Sequence, residues 1–81
     1  MTTEELKTKA HNADVTVWVG KEGVESVVDE LRDQLDTRDV VKVKFLRSSR
    51  GGTDTEELAD DLADRVGADL VETRGNTAVY H

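Results

Sequence analysis

The stretch Val15-Thr16-Val17-Trp18-Val19-Gly20-Lys21-Glu22-Gly23-Val24 decides how the rest of the chain is read. Valine alternates with other residues from Val15 to Val19, the two-residue period of a β-strand, and Gly20 ends the pattern. From Val24 the period changes. Val24, Val27, Val28, Leu31 and Leu35 form the stripe of an amphipathic helix, with Glu25, Asp29, Glu30 and Asp33 on its wet side. Residues 40–46 return to strand pattern, with Val41, Val43 and Phe45 on one face and Lys42 and Lys44 on the other. Two strands flanking one helix make a βαβ unit, parallel and right-handed.

Working outward, residues 47–53 read as a flexible loop rich in Ser and Gly that ends on an N-cap at Asp54 or Thr55, with Glu57 three residues after Asp54. Leu58, Ala59, Leu62, Ala63 and Val66 are the buried stripe of a second helix, and Gly67 stands where a C-cap glycine belongs. Residues 68–74 and 77–81 read as short antiparallel strands joined by the two-residue turn Gly75-Asn76. Residues 1–14 are polar apart from a few apolar positions, and Thr2 with Glu5 can form a capping box for a short N-terminal helix or arm. The expected fold is α/β in composition and α+β in layering. Its order is (α)-β-α-β-α-β-β, a four-stranded mixed sheet with both main helices on one face. The opposite face then shows Trp18, Lys42 and Lys44 unless the N-terminal segment covers it. Parity alone leaves open which face Tyr80 joins.

Composition bounds the function classes. Eighty-one residues without cysteine or proline, 36% hydrophobic and 36% charged, describe a single small domain over residues 1–81. The absence of cysteine excludes a disulfide framework, a thiolate nucleophile and a Cys-based zinc site. No apolar run approaches the ~20 residues that span a bilayer. The acidic start of the chain is unlike a basic signal peptide, so a cytoplasmic protein with no membrane partner is expected. Eighteen acidic residues against eleven basic ones give a net charge of −7. Asp outnumbers Lys and large apolar side chains are few, which matches the hydrated acidic surface of halophilic proteins as well as an ordinary acidic domain.

The total charge conceals an asymmetry. Between Arg38 and Gly52 stand Arg38, Lys42, Lys44, Arg47 and Arg50 against Asp39, a local charge of +4 that leaves −11 for the remainder. These cations fit an anion-binding surface, or Lys42 and Lys44 merely solvate an exposed strand face, pair with helix carboxylates or discourage edge pairing. Gly20-Lys21-Glu22-Gly23 is a GxxG loop between a strand and a helix start. Glycines there let backbone amides approach a phosphate, the helix N-terminus adds partial positive charge and Lys21 a full one, as in the GxxG clamp of KH domains. The alternative is a purely steric need for glycine at a tight turn, and Glu22 and Glu25 oppose the positive field. Arg47 and Arg50 are candidate phosphate contacts on the following loop. Trp18 is expected to be partly core, although an exposed aromatic there would stack a base.

Catalytic signals are poor, so no enzyme, no cofactor and no metal site are expected. His11 and His81 have no evident nucleophile beside them, and Ser26, Ser48 and Ser49 lack a nucleophile signature. Asp60, Asp61 and Asp64 carry helical spacing, the pattern of a solvated face.

Taken in order, Val17 to Val24, Glu30-Leu31, Val41-Lys42-Val43-Lys44, Glu57-Leu58-Ala59 and Arg74-Gly75-Asn76-Thr77-Ala78-Val79-Tyr80 resemble the CRM-domain, or YhbY-type, RNA-binding proteins. The resemblance runs from Val15 to His81. It implies a fold similar to the C-terminal domain of translation initiation factor 3, and binding of structured RNA without catalysis. For bacterial stand-alone members it implies association with precursors of the large ribosomal subunit. Separately from the resemblance, a monomer is expected. Carried over residue by residue, Gly20, Lys21, Glu22 and Gly23 match the family's GxxG loop, Lys42 and Lys44 its basic strand, and Arg74, Gly75 and Asn76 its terminal turn. This chain departs from the basic character common in the family and places Glu22 inside the loop. The alternative function is a protein-interaction module that docks an acidic partner on the basic strand.

Overall fold

The computed structural model describes residues 2–49 and 54–81. The chain runs α1 (Thr3–Asn12), β1 (Val15–Val19), a 3-10 turn (Val24–Val27) that leads into α2 (Val28–Thr37), and β2 (Val41–Phe45). A second 3-10 turn (Arg47–Ser49), α3 (Thr55–Val66), β3 (Leu70–Arg74) and β4 (Thr77–Tyr80) complete it. The four strands form one mixed sheet in the order β1-β2-β4-β3. β1 and β2 are parallel, as the βαβ reading requires, and β4 pairs antiparallel with both β2 and β3.

Local chemistry accounts for the element boundaries. The Thr2 hydroxyl accepts from the Glu5 amide at 3.2 Å to start α1, and the Asp54 carboxylate accepts from the Glu57 amide at 2.8 Å to start α3. Gly67 closes α3 in the left-handed conformation at φ +76°, where a side chain would be strained. Arg32 on α2 reaches across to donate to the Arg65 carbonyl at 2.8 Å, satisfying one of the carbonyls that a helix end leaves open.

The structure shifts some of the expected boundaries. The apolar stripe that starts at Val24 spans two helical geometries, because a 3-10 turn precedes the α-helix. Gly23 sits at φ +83° and ψ −178°, and its carbonyl accepts from both the Ser26 amide and the Ser26 hydroxyl. Val40 and Leu46 flank β2 instead of belonging to it, and Ala68 completes the α3 C-cap, its backbone N–H donating a hydrogen bond to the Ala63 carbonyl at 3.1 Å. Arg47–Ser49 form a 3-10 turn instead of the loop expected there, and residues 50–53 lie outside the described residues.

The core lies between one sheet face and α2 with α3. Val17, Val19, Val41, Val43, Phe45, Ala78 and Tyr80 supply the sheet side, and Leu31, Ala59 and Leu62 the helix side, all buried. Val15 is only half-buried, because a bulge shifts the register between Val15 and Val17. Parity had left Tyr80 open; the register places it opposite Val41, on the core face, with its hydroxyl donating to the Ala59 carbonyl at 2.8 Å. Burial pushes its phenol well above the ordinary value near 10, with Asp60 adding to the effect.

Candidate nucleic-acid interface

Topology collects the candidate residues at one end of the sheet. β1 and β2 are parallel, so the loop after β1 and the turn after β2 leave from the same end. β4 starts opposite the end of β2, with Thr77 across from Lys44, so the Gly75-Asn76 turn closes at that end too. Two backbone bonds stitch the junction: the Leu46 amide donates to the Val19 carbonyl at 2.9 Å, and the Phe45 amide to the Asn76 carbonyl at 2.7 Å. A Cβ built on Gly20 would stand 4.0 Å from the Ser48 hydroxyl, which puts the GxxG loop beside the Arg47–Ser49 turn. Three segments distant in sequence thus meet.

The structure brings together most of the expected set. Lys21, Glu22 and Arg47 are exposed, as is Arg74, and Lys42 and Lys44 are half-buried with the face opposite the core as theirs. Arg50 lies outside the described residues. The two glycines of the loop differ in kind. Gly23 occupies a backbone region open essentially to glycine alone, so the turn itself demands it. Gly20 has no positive φ, and a Cβ there would meet only ordinary van der Waals contact, so the turn does not demand a glycine at this position.

Charge at this end is unbalanced. Among the described residues the ion pairs join Lys9 to Asp39, Arg65 to Glu25 and Asp61, and His11 to Glu72, and none uses Lys21, Lys42, Lys44, Arg47 or Arg74. The alternative in which Lys42 and Lys44 pair with helix carboxylates therefore does not describe the molecule. Glu22 remains an exposed carboxylate within the loop, and Glu56 and Glu57 fill the first turn of α3. The opposite end of the sheet is tied off. Lys9 of α1 pairs with Asp39, holding the Asp39 carboxyl below its usual range, and His81 Nδ1 lies 2.8 Å from the Asp39 carbonyl oxygen.

α1 covers part of the open face. It packs along β3 and buries Ala10 and Val79. At its margin lies a cavity of about 80 Å³ lined by His11, Lys42, Glu72, Arg74 and Thr77 as well. It stops short of β1. Trp18, expected to be partly core, is instead 54% exposed, because the alternation that buries Val17 and Val19 turns the residue between them to the face that α1 leaves uncovered at β1. The sequence carried the signal in that alternation, since Trp18 shares the parity of the lysine face. No group of three or more His, Asp or Glu side chains that could hold a metal ion occurs among the described residues. Likewise, among them no helix is long and apolar enough to cross a membrane.

The profile of the CRS1 / YhbY (CRM) domain matches residues 2–81. The chain belongs to this family. A curated relative from Methanocaldococcus jannaschii, named "Probable RNA-binding protein MJ0652", is 39% identical over 71 residues, 88% of this chain and 53% of the relative. The chain thus spans about half the length of the curated relative it matches. The solution structure of the hypothetical protein SAV1595 from Staphylococcus aureus, described as "a putative RNA binding protein", superposes with a TM-score of 0.78 at 29% identity. The match covers 98% of this chain and 81% of that one. The overall fold of this CRM domain is therefore shared with a solved structure.

Proposed function

We propose that this CRM domain is a non-catalytic RNA-binding protein that grips folded RNA at the end of the sheet where the GxxG loop, the Arg47 turn and the Arg74 turn meet. The observation that carries the reading is the convergence of Lys21, Lys42, Lys44, Arg47 and Arg74, which have no carboxylate partner among the described residues, on a chain of net charge −7. Gly20 supports it as a glycine that the turn does not demand, which fits close approach of a ligand backbone. The RNA-binding descriptions of the two relatives agree with it. Backbone amides at the loop and the side chains of Lys21, Lys42, Lys44, Arg47, Arg50 and Arg74 take the phosphates. The substrate in this reading is ribosomal RNA of the assembling large subunit, bound in the cytoplasm by a monomer.

An acidic surface is compatible with this role in concentrated salt. At ~1 M salt the Debye length is about 3 Å, so distant carboxylates barely repel RNA while contact-range cations still bond phosphates. If about four of these cations engage phosphates at once, the log–log salt slope is near −3 on single strands.

Fluorescence anisotropy with large-subunit ribosomal RNA fragments and an unrelated folded RNA, from low salt to molar KCl, tests the proposal. Wild type should prefer the ribosomal fragments, and Lys42→Glu/Lys44→Glu should lose at least tenfold in affinity while remaining folded. Gly20→Asp separates the rival reading, a module that docks an acidic protein on the strand. It should damage RNA gripping far more than docking on the sheet. Folded wild type that binds no RNA at any salt would overturn the proposal.

A further inference from the structure

We infer that Trp18 is a base-stacking platform on the open face of the sheet, and that the RNA this domain takes carries an unpaired nucleotide next to its folded part. The inference rests on the RNA-binding reading and adds the class of RNA. Strand pairing sets Trp18 beside Lys44, Lys44 opposite Thr77 and Thr77 opposite Arg74. One row therefore crosses all four strands, with an exposed indole at one edge, a guanidinium at the other and an ammonium next to the indole. At ~4.8 Å per strand the row spans roughly 14 Å. Thr77, between the two cations, is short and turns its hydroxyl to the Arg74 carbonyl at 2.8 Å.

A lone exposed aromatic needs no explanation by itself. This one stands in a row with Lys44 and Arg74, which have no ion-pair partner among the described residues, and two residues before Gly20, the loop glycine that leaves room for a ligand. A phosphate held at the loop would bring the attached base toward the indole. Bases inside a duplex are stacked on one another and offer no free face, whereas an unstacked base does, and four-stranded sheets that read RNA present aromatics in this way. Glu72, the carboxylate on this face, lies on β3 beyond Val79, beside α1 and His11, on the far side of the sheet from Trp18. An acidic peptide would satisfy Lys44 and Arg74 but has no group for the ring.

Trp18 is the single tryptophan of the chain, so its emission reports on this site alone. The probes are a dye-labelled RNA hairpin with a short single-stranded tail and the same hairpin with a blunt end. Wild type should bind the tailed hairpin roughly fivefold to a hundredfold more tightly by anisotropy, the equivalent of stacking one base. The tailed hairpin should also quench Trp18 emission, and the blunt one should not. Trp18→Ala should lose the preference and Trp18→Phe should keep most of it, with circular dichroism confirming that both are folded. If both hairpins bind with equal affinity and without quenching, the platform is wrong while the RNA-binding reading stands. If neither hairpin binds wild type, that reading fails and the inference falls with it. Quenching by polyglutamate but by neither RNA would assign the face to an acidic protein and overturn the proposal.

Discussion

The two faces of β2 differ in everything but their backbone. Val41, Val43 and Phe45 lie under α2 and α3, fully buried, while Lys42 and Lys44 alternate with them on a face that α1 covers only over β3 and β4. One face is closed by two helices and a buried Tyr80 hydrogen bond; the other is left open at the β1 edge, where Trp18 stands. The lesson is that a strand's alternation states which residues share a face, while the connections between strands decide whether that face is covered. The turns after β1 and β2 both enter helices that fold back onto one side, and among the described residues α1 alone covers the other side.

The comparison breaks most sharply at neighbouring residues of β2. Phe45→Ala should destabilise the domain by about 3–5 kcal/mol, since it empties the centre of the core. Lys44→Ala should change stability by less than ~0.5 kcal/mol and weaken RNA binding instead. Urea unfolding followed by circular dichroism measures both, and equal losses from the two variants would show that the open face is as structural as the core.

The loop offers the same contrast at smaller scale. Gly23→Ala should cost about 1–3 kcal/mol because it forces a side chain into a backbone region open essentially to glycine. Gly20→Ala should leave the melting temperature close to wild type, since its Cβ has room, and should lower RNA affinity. A Gly20→Ala protein that melted like Gly23→Ala would return both glycines to a purely steric role.

The smallest effect sharpens the core side. Tyr80→Phe removes the bond to the Ala59 carbonyl and should cost about 1 kcal/mol at neutral pH. Burial raises the Tyr80 phenol in the folded state, so above pH 10 the unfolded chain gives up a proton that the folded chain keeps. The stabilisation by the neutral buried phenol is complete below the unfolded value near 10. It is lost by ~1.4 kcal/mol per pH unit as pH rises beyond it. Wild type should therefore lose stability faster than Tyr80→Phe above pH 10, and parallel curves from the two proteins would contradict the burial.

Much of the fold was legible in the sequence because its signals are local. The valine alternation of β1, the apolar stripes of α2 and α3, the caps at Thr2, Asp54 and Gly67 and the Gly75-Asn76 turn each act within a few residues, and each sits where its pattern placed it. The 3-10 turn at Val24–Val27 was not legible, since 3-10 and α geometry share nearly the same apolar spacing over one turn. The basic character of Lys42 and Lys44 and the GxxG spacing could also be read directly. The face of Trp18 could be read from its parity, but its exposure could not, because that depends on how far α1 extends over the sheet.

The sequence by itself determined the order of elements, the composition of each face and the position of the glycines, all set by side-chain period and backbone conformational preference. Only the tertiary structure decided that the GxxG loop, the Arg47 turn and the Arg74 turn meet at one end, that Tyr80 is inside and the Trp18 edge uncovered, and that Lys42, Lys44 and Arg74 have no ion-pair partner among the described residues. Those facts depend on strand direction, register and helix cover, which are contacts between residues far apart in the chain and leave no periodic trace along it.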